Sequence, residues 1–277
     1  MLLTLSNPKI IKGQPKGYLT AILHLAPHNL SGYNVCPMAS AGCSEACLNL
    51  SGHGGMIPLG QETNRIQEAR KARTVLFFEH RDQFMSDLLH DVRTVIKYAD
   101  RQGLIPVFRF NGTSDIRWEN MPIDGSRNIM EKFPSITFYD YTKLPNRKNL
   151  PANYSLTFSR SETNEMFIPM AISNGMNVAV VFRKGPAKIK VVKTYEQKLA
   201  EKIKRDAQKK NRKHTGRHRV KDYSWLPTSY MGYPVINGDE TDLRFLDPKP
   251  CIVGLTAKGK AKYDTSGFCV DVLSEKK

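Results

Sequence analysis

Leu104-Ile-Pro-Val-Phe-Arg-Phe-Asn111-Gly-Thr-Ser-Asp115 sets the pattern from which the fold is read. Its first seven residues, mostly apolar, read as a strand. Its last five carry Asn, Gly, Ser and Asp, the residues of a turn. The alternation recurs. Ile136-Thr-Phe-Tyr-Asp-Tyr precedes Thr142-Lys143, Tyr154-Ser-Leu-Thr-Phe precedes Ser159-Arg-Ser-Glu-Thr163, and Asn177-Val-Ala-Val-Val-Phe precedes Arg183-Lys184. Further on, Tyr233-Pro-Val-Ile precedes Asn237-Gly-Asp-Glu-Thr-Asp242, and Cys251-Ile-Val-Gly-Leu precedes Thr256-Ala-Lys-Gly-Lys260. Upstream, Tyr18-Leu-Thr-Ala-Ile-Leu-His-Leu-Ala reads as a buried strand ending at Pro27.

Helical segments fall between these strands. Residues 62–78 read as a helix with Arg65, Arg70, Lys71 and Arg73 toward solvent. In 81–100, Phe84, Leu88, Val92, Val95 and Ala99 step along one helical face, and Gly103 closes the helix. The segment up to Phe133 is weakly helical, and 165–173 form a helix ended by Asn174-Gly175. Strands alternating with helices imply an α/β fold with a parallel sheet. The polar strand ends would form one rim, so the expected architecture is a TIM-like (β/α) barrel, complete or partial, in one domain over 1–277. An open doubly wound sheet is the alternative, but no G-x-G-x-x-G follows any strand.

After the first long strand comes Cys36-Pro-Met-Ala-Ser-Ala-Gly-Cys43-Ser-Glu-Ala-Cys47-Leu-Asn-Leu-Ser-Gly-His53-Gly-Gly. Three of the five cysteines lie in this one polar, small-residue loop. Such a run is not a core strand. The N-terminus lacks the charged start and apolar run of a signal peptide, and no segment has the length of a membrane span. A cytoplasmic setting without a membrane is therefore expected, where thiols stay reduced and clustered cysteines favour metal over disulfides. Zinc sites usually pair C-x2-4-C or H-x3-5-H halves. A C-x6-C-x3-C loop with no second pair suits an iron–sulfur cluster better, most simply 4Fe-4S, with three cysteine ligands and one iron left for another. Candidates for that position are Cys269 or His53. Cys251 begins a strand and so points away from the rim.

The chain has 277 residues, 40% of them hydrophobic, and a net charge of +16. From Arg183 to Lys221 there are 16 Lys and Arg against Glu196, Glu201 and Asp206, a segment charge of +13 that leaves only +3 elsewhere. This basic insertion, 183–221, is a candidate for nucleic acid, with Tyr223, Trp225 and Tyr230 nearby to stack on unpaired bases. At the rim, Arg109, Lys143, Arg160, Arg183 and Lys258 favour an anionic small molecule. Asp115, Asp140, Glu162 and Asp239 would pair with these cations or act as acid/base groups, and Asn111 would contact a bound cofactor.

The cysteine stretch, Phe108-Arg-Phe-Asn-Gly-Thr-Ser-Asp115 with Trp118-Glu119, Asn237-Gly-Asp-Glu-Thr-Asp-Leu-Arg244 with Asp247, and Val253-Gly-Leu-Thr-Ala-Lys-Gly259 together resemble the phage gene-product-88 family. That resemblance implies a phage or prophage product, acting in the host cytoplasm, and leaves its activity open. A wider likeness is to radical S-adenosylmethionine enzymes, which also carry three cysteines after the first barrel strand and leave one iron for the methionine moiety. Their cysteine spacing is three then two, against six then three here, and their Gly-Gly-Glu after the second strand is replaced by Asn111-Gly-Thr-Ser-Asp115. The sequence thus points to an iron–sulfur protein. A radical enzyme using S-adenosylmethionine and a zinc-stabilised nucleic-acid-binding protein without catalysis are the rival readings.

Overall fold

The structure, a computed structural model, describes residues 1–190, 193–210 and 222–273. Its strands are β1 (Leu3–Thr4), β2 (Tyr18–Leu23), β3 (Ile105–Arg109), β4 (Thr137–Thr142), β5 (Tyr154–Ser159), β6 (Asn177–Lys184), β7 (Ser229–Tyr230), β8 (Tyr233–Asn237), β9 (Ile252–Thr256) and β10 (Val270–Val272). Its helices are α1 (Pro8–Ile11), α2 (Ala41–Glu45), α3 (Arg65–Glu79), α4 (Arg81–Arg101), α5 (Ile129–Lys132), α6 (Ile168–Ser173) and α7 (Tyr195–Lys210). No helix among the described residues is long and apolar enough to cross a membrane.

All ten strands form one sheet in the order β1-β2-β3-β4-β5-β6-β9-β8-β7, with β10 beside β6. Strands β2 through β6, β9 and β8 run parallel, while β1 and β7 are antiparallel additions at the two edges. The expected parallel α/β sheet is therefore present. Among the described residues no pairing closes it. The regular barrel succession also breaks at the end, because β9 lies between β6 and β8. The reason is the segment between β8 and β9, which crosses back over the sheet instead of passing along its outside. Leu243 packs there with Val107 and Tyr139, and Arg109 pairs with Asp242 at 2.9 Å.

Side-chain alternation assigns the two faces of the sheet. Phe108, Phe110, Phe138, Leu156, Phe158, Val178 and Val180 join the main core with α4. Phe84, Leu88, Val92, Val95 and Ala99 of α4 are fully buried, as their spacing requires. Each of the larger side chains contributes about 1.5–3 kcal/mol by leaving water. The opposite face carries Val107, Arg109, Tyr139 and Lys143, and this more polar face meets the 239–247 segment and, near Val181, the Cys43 end of the cysteine loop, while Val35 and Cys36 pack with the main core.

Two expectations change. Arg70 and Arg73 of α3 do not face solvent: Arg70 donates to Asn49 Oδ1 at 2.5 Å, and Arg73 to the His24 carbonyl at 3.3 Å. The basic insertion begins later than its charge suggested. Arg183 and Lys184 belong to β6, and Arg183 is buried, donating to the Asp264 and Ala261 carbonyls and paired with Asp271. Residues 211–221, its most basic part, lie outside the described residues.

Candidate metal centre

The parallel strands place Asn111–Asp115, Lys143, Arg160–Glu162 and the cysteine loop at one edge of the sheet. The loop leaves β2 and is fastened at three points. The Asp115 amide donates to the Val35 carbonyl at 2.8 Å, and the Cys36 thiol meets the Thr113 carbonyl at 3.7 Å, so the β3 turn holds its start. Ser40 caps α2, accepting from the Cys43 amide at 3.2 Å and donating to Glu162 Oε2 at 2.8 Å. Glu162 Oε1 accepts from the Gly42 amide at 2.8 Å, and a Cβ on Gly42 would lie 2.0 Å from Ser266 Oγ. Beyond Cys47, Asn49 is buried and holds Arg70, while Gln67 donates to the Gly54 carbonyl at 2.7 Å.

This folding brings Cys36, Cys43 and Cys47 together as half-buried free thiols. They lie close enough to act on one another electrostatically. Burial pushes Cys36 up to about 12 and Cys47 up to about 11, and each of these thiols is raised further by the charge of its cysteine neighbours. Burial raises Cys43 too, opposed first by Lys143. Lys143 is itself buried. Its ammonium donates to the Ser159 carbonyl and hydroxyl, both at 3.1 Å, and it forms no ion pair within 4 Å among the described residues. A buried ammonium held mainly by neutral oxygens lacks a full counter-charge, and the adjoining thiols supply one once they are thiolates.

Among the described residues, no three His, Cys, Asp or Glu side chains converge on a point that could hold a single metal ion. A zinc site demands such convergence. A cluster does not, since each thiolate binds a separate iron, and soft thiolates are the donors that iron–sulfur clusters take. Soft thiolates are donors to zinc and to iron–sulfur clusters alike.

The other candidates divide sharply. Asp115 belongs to the centre: its carboxylate accepts from the Lys143 amide at 2.8 Å, lies 3.7 Å from Arg147, and is raised by burial. Asn111 is consumed by its own turn, accepting from Ser114, Ile116 and Trp118 and donating to the Ile116 carbonyl. Arg109 is committed to Asp242, Arg160 to Glu165 and the carbonyls of Gly267 and Phe268, and Lys258 to Asp239. Of the cations expected to form an anion-binding rim, most are thus internally paired. His53 is exposed in a 3-10 turn. The Cys269 thiol donates to the Ala261 carbonyl at 3.2 Å, and the charges acting most on it are Asp264, Arg183, Asp271 and Arg160. Cys251 sits at the start of β9 and packs with Ala179 and Val253.

Arg147 was not singled out from sequence, Arg70 was expected toward solvent, and Glu119 entered only through the family resemblance. His24, at the end of β2, is pushed down to about 3 by burial and by Arg70, Arg109 and Arg73, so its ring stays neutral. Arg147 joins Glu119 to Asp115. Only the contacts reveal these roles, because each partner is far away in sequence.

Asp140 is a clamp for the β3 turn. It accepts from the amides of Phe110 and Asn111 and from the Tyr154 hydroxyl. Burial nonetheless lifts it to about 7, against the pull of Arg109 and these donors. The native state therefore keeps a proton that the unfolded chain releases near pH 4. The stability this confers is complete below that pH and is lost as pH rises through about 7. Relative to Asp140→Asn, which does not titrate, the wild type should lose up to about 1.4 kcal/mol per pH unit between pH 5.5 and 7. Denaturant midpoints of the two proteins at both pH values check this, and a constant difference would contradict it.

The family model described as Gene product 88 matches residues 1–272. No curated protein and no solved structure matches the chain.

Proposed function

The chain belongs to the Gene product 88 family, and we propose that this member is an iron–sulfur protein on a partial (β/α) barrel, its cluster held by Cys36, Cys43 and Cys47. One observation carries the reading: three half-buried thiols meet beside the buried Lys143 ammonium, on a loop that glycine and short polar side chains dominate. Desolvated thiols gain little from such packing, whereas a metal takes up the thiolates and returns binding energy to the fold. When bound, such a cluster supplies one-electron redox chemistry, and an iron without a cysteine takes an exogenous ligand. This chain's residues hold and tune the group: Lys143 offsets thiolate charge at Cys43, and Glu162 fixes the turn that presents Cys43 and Cys47.

A second reading, a radical enzyme using S-adenosylmethionine, is favoured by the location of the loop after β2, the first strand of the parallel series. It is favoured also by the Cys269 thiol, which packs in the same small cluster as Cys43 but spends its hydrogen on the Ala261 carbonyl. Metal analysis of anaerobically purified protein tests the first reading: iron with acid-labile sulfide is expected, and stoichiometric zinc would overturn it. Adding S-adenosylmethionine to the reduced protein tests the second. A changed electron paramagnetic resonance spectrum is expected, and an unchanged spectrum would dispose of the enzyme reading alone.

A further inference from the structure

A second feature at the strand ends has no role in metal binding. A cavity of about 280 Å³ opens between the ends of β6 and β9 and the chain around Trp225. Phe182, Lys184, Pro186, Lys188, Trp225 and Lys262 line it. Backbone bonds fix the wall: the Ala257 amide donates to the Phe182 carbonyl at 2.9 Å, and the Lys188 amide to the Lys262 carbonyl at 3.0 Å. The cavity is thus built on the sheet, not on a loose loop.

Its charges differ from those at the cysteine rim. Lys184, Lys188 and Lys262 are exposed, and none is held in an ion pair within 4 Å among the described residues. The acid that feels Lys184 is Asp222, already held low by Ser224. Arg183, on the same strand, also lines the cavity, but it is buried, donates to the Asp264 carbonyl and is paired with Asp271. The chain runs on into the exposed α7, and residues 193–210 carry seven Lys and Arg against three acids. One aromatic ring that is not fully buried, that of Trp225, three available ammoniums and a small volume match a planar base with its phosphate. The wall offers no Gly-rich turn of the kind that cradles a free nucleotide's phosphates. Stacking plus diffuse positive charge is instead the sequence-tolerant mode of single-strand binding.

We propose that this cavity takes one unpaired nucleotide of a single nucleic-acid strand, with its base on Trp225 and its phosphates on Lys184, Lys188 and Lys262. The reading is independent of the metal centre.

The full chain reports on itself, because it has two tryptophans and Trp118 is fully buried. Oligothymidylate about a dozen nucleotides long should quench the fluorescence of Trp225. Reversing Lys184, Lys188 and Lys262 to Glu should weaken binding at least tenfold and flatten the slope of log affinity against log salt by about 2, at about 0.7 per contact on a single strand. Trp225→Leu keeps apolar bulk against the core. With a fluorescein-labelled strand it should bind about fivefold or more weakly at an unchanged salt slope, since stacking is lost and charge is not. Unaltered affinity in the triple lysine variant would overturn the proposal. Thymidine monophosphate binding as tightly as the oligomer would make the cavity a small-nucleotide site. A duplex competing as well as the single strand would reduce it to surface charge. Either result sinks the single-strand assignment.

Discussion

Replacing any one of Cys36, Cys43 and Cys47 by alanine should abolish iron binding, whereas Cys251→Ala should retain it in full. The three thiols act on one another electrostatically, and two thiolates cannot replace the lost third ligand. Cys251 lies at the opposite end of its strand, packed against Ala179 and Val253. Loss of the cluster should also loosen the loop, because Ser40, Gly42 and Glu162 hold α2 by only a few hydrogen bonds. Faster amide exchange across residues 36–55 in the variants measures this. Cys269→Ser discriminates further: its thiol is engaged at Ala261, so iron should remain, leaving the fourth position to a non-cysteine ligand. Loss of iron in that variant would make Cys269 the fourth ligand and close the site, removing the support for S-adenosylmethionine.

Arg147→Leu should cost about 3–5 kcal/mol of folding stability. The Arg147 side chain is 1% exposed and makes a two-point contact with Glu119, itself 5% exposed, with Asp115 beyond it at 3.7 Å. Leucine fills much of the space but leaves two buried carboxylates without their cation. Adding Glu119→Gln should recover part of the loss, since it removes one uncompensated charge. Denaturant midpoints at constant slope measure both effects. A loss below about 1 kcal/mol would mean that water reaches the pair. The consequence for function runs through Asp115, whose turn holds the start of the cysteine loop through Val35.

The parts of this molecule that could be read from sequence are those set by local pattern. The single apolar face of α4 and the strand-and-turn rhythm from β3 to β6 gave their elements directly, and the cysteine spacing marked the loop whose three thiols act on one another. Long-range pairing was not legible. Nothing local in 238–251 says that the chain crosses back over the sheet, so the interchange of β8 and β9 stayed hidden. Strands of two or three residues, such as β1, β7 and β10, are too short to show a period. Arg70 and Arg73 looked solvated because α3 has no clear apolar stripe, and its inward face is polar where it meets Asn49 and His24. Arg109 and Arg160 read as anion-binding residues because an arginine at a strand end looks free until Asp242 or Glu165 arrives.

The proposed cluster at Cys36, Cys43 and Cys47 is tested most directly by measuring iron and acid-labile sulfide per chain after anaerobic reconstitution, in the wild type and the triple cysteine-to-alanine variant side by side. The account predicts close to equal iron and sulfide in the wild type, about four of each for a 4Fe-4S centre, and neither in the variant. Iron and sulfide retained in the variant, or absent from the wild type, would contradict it.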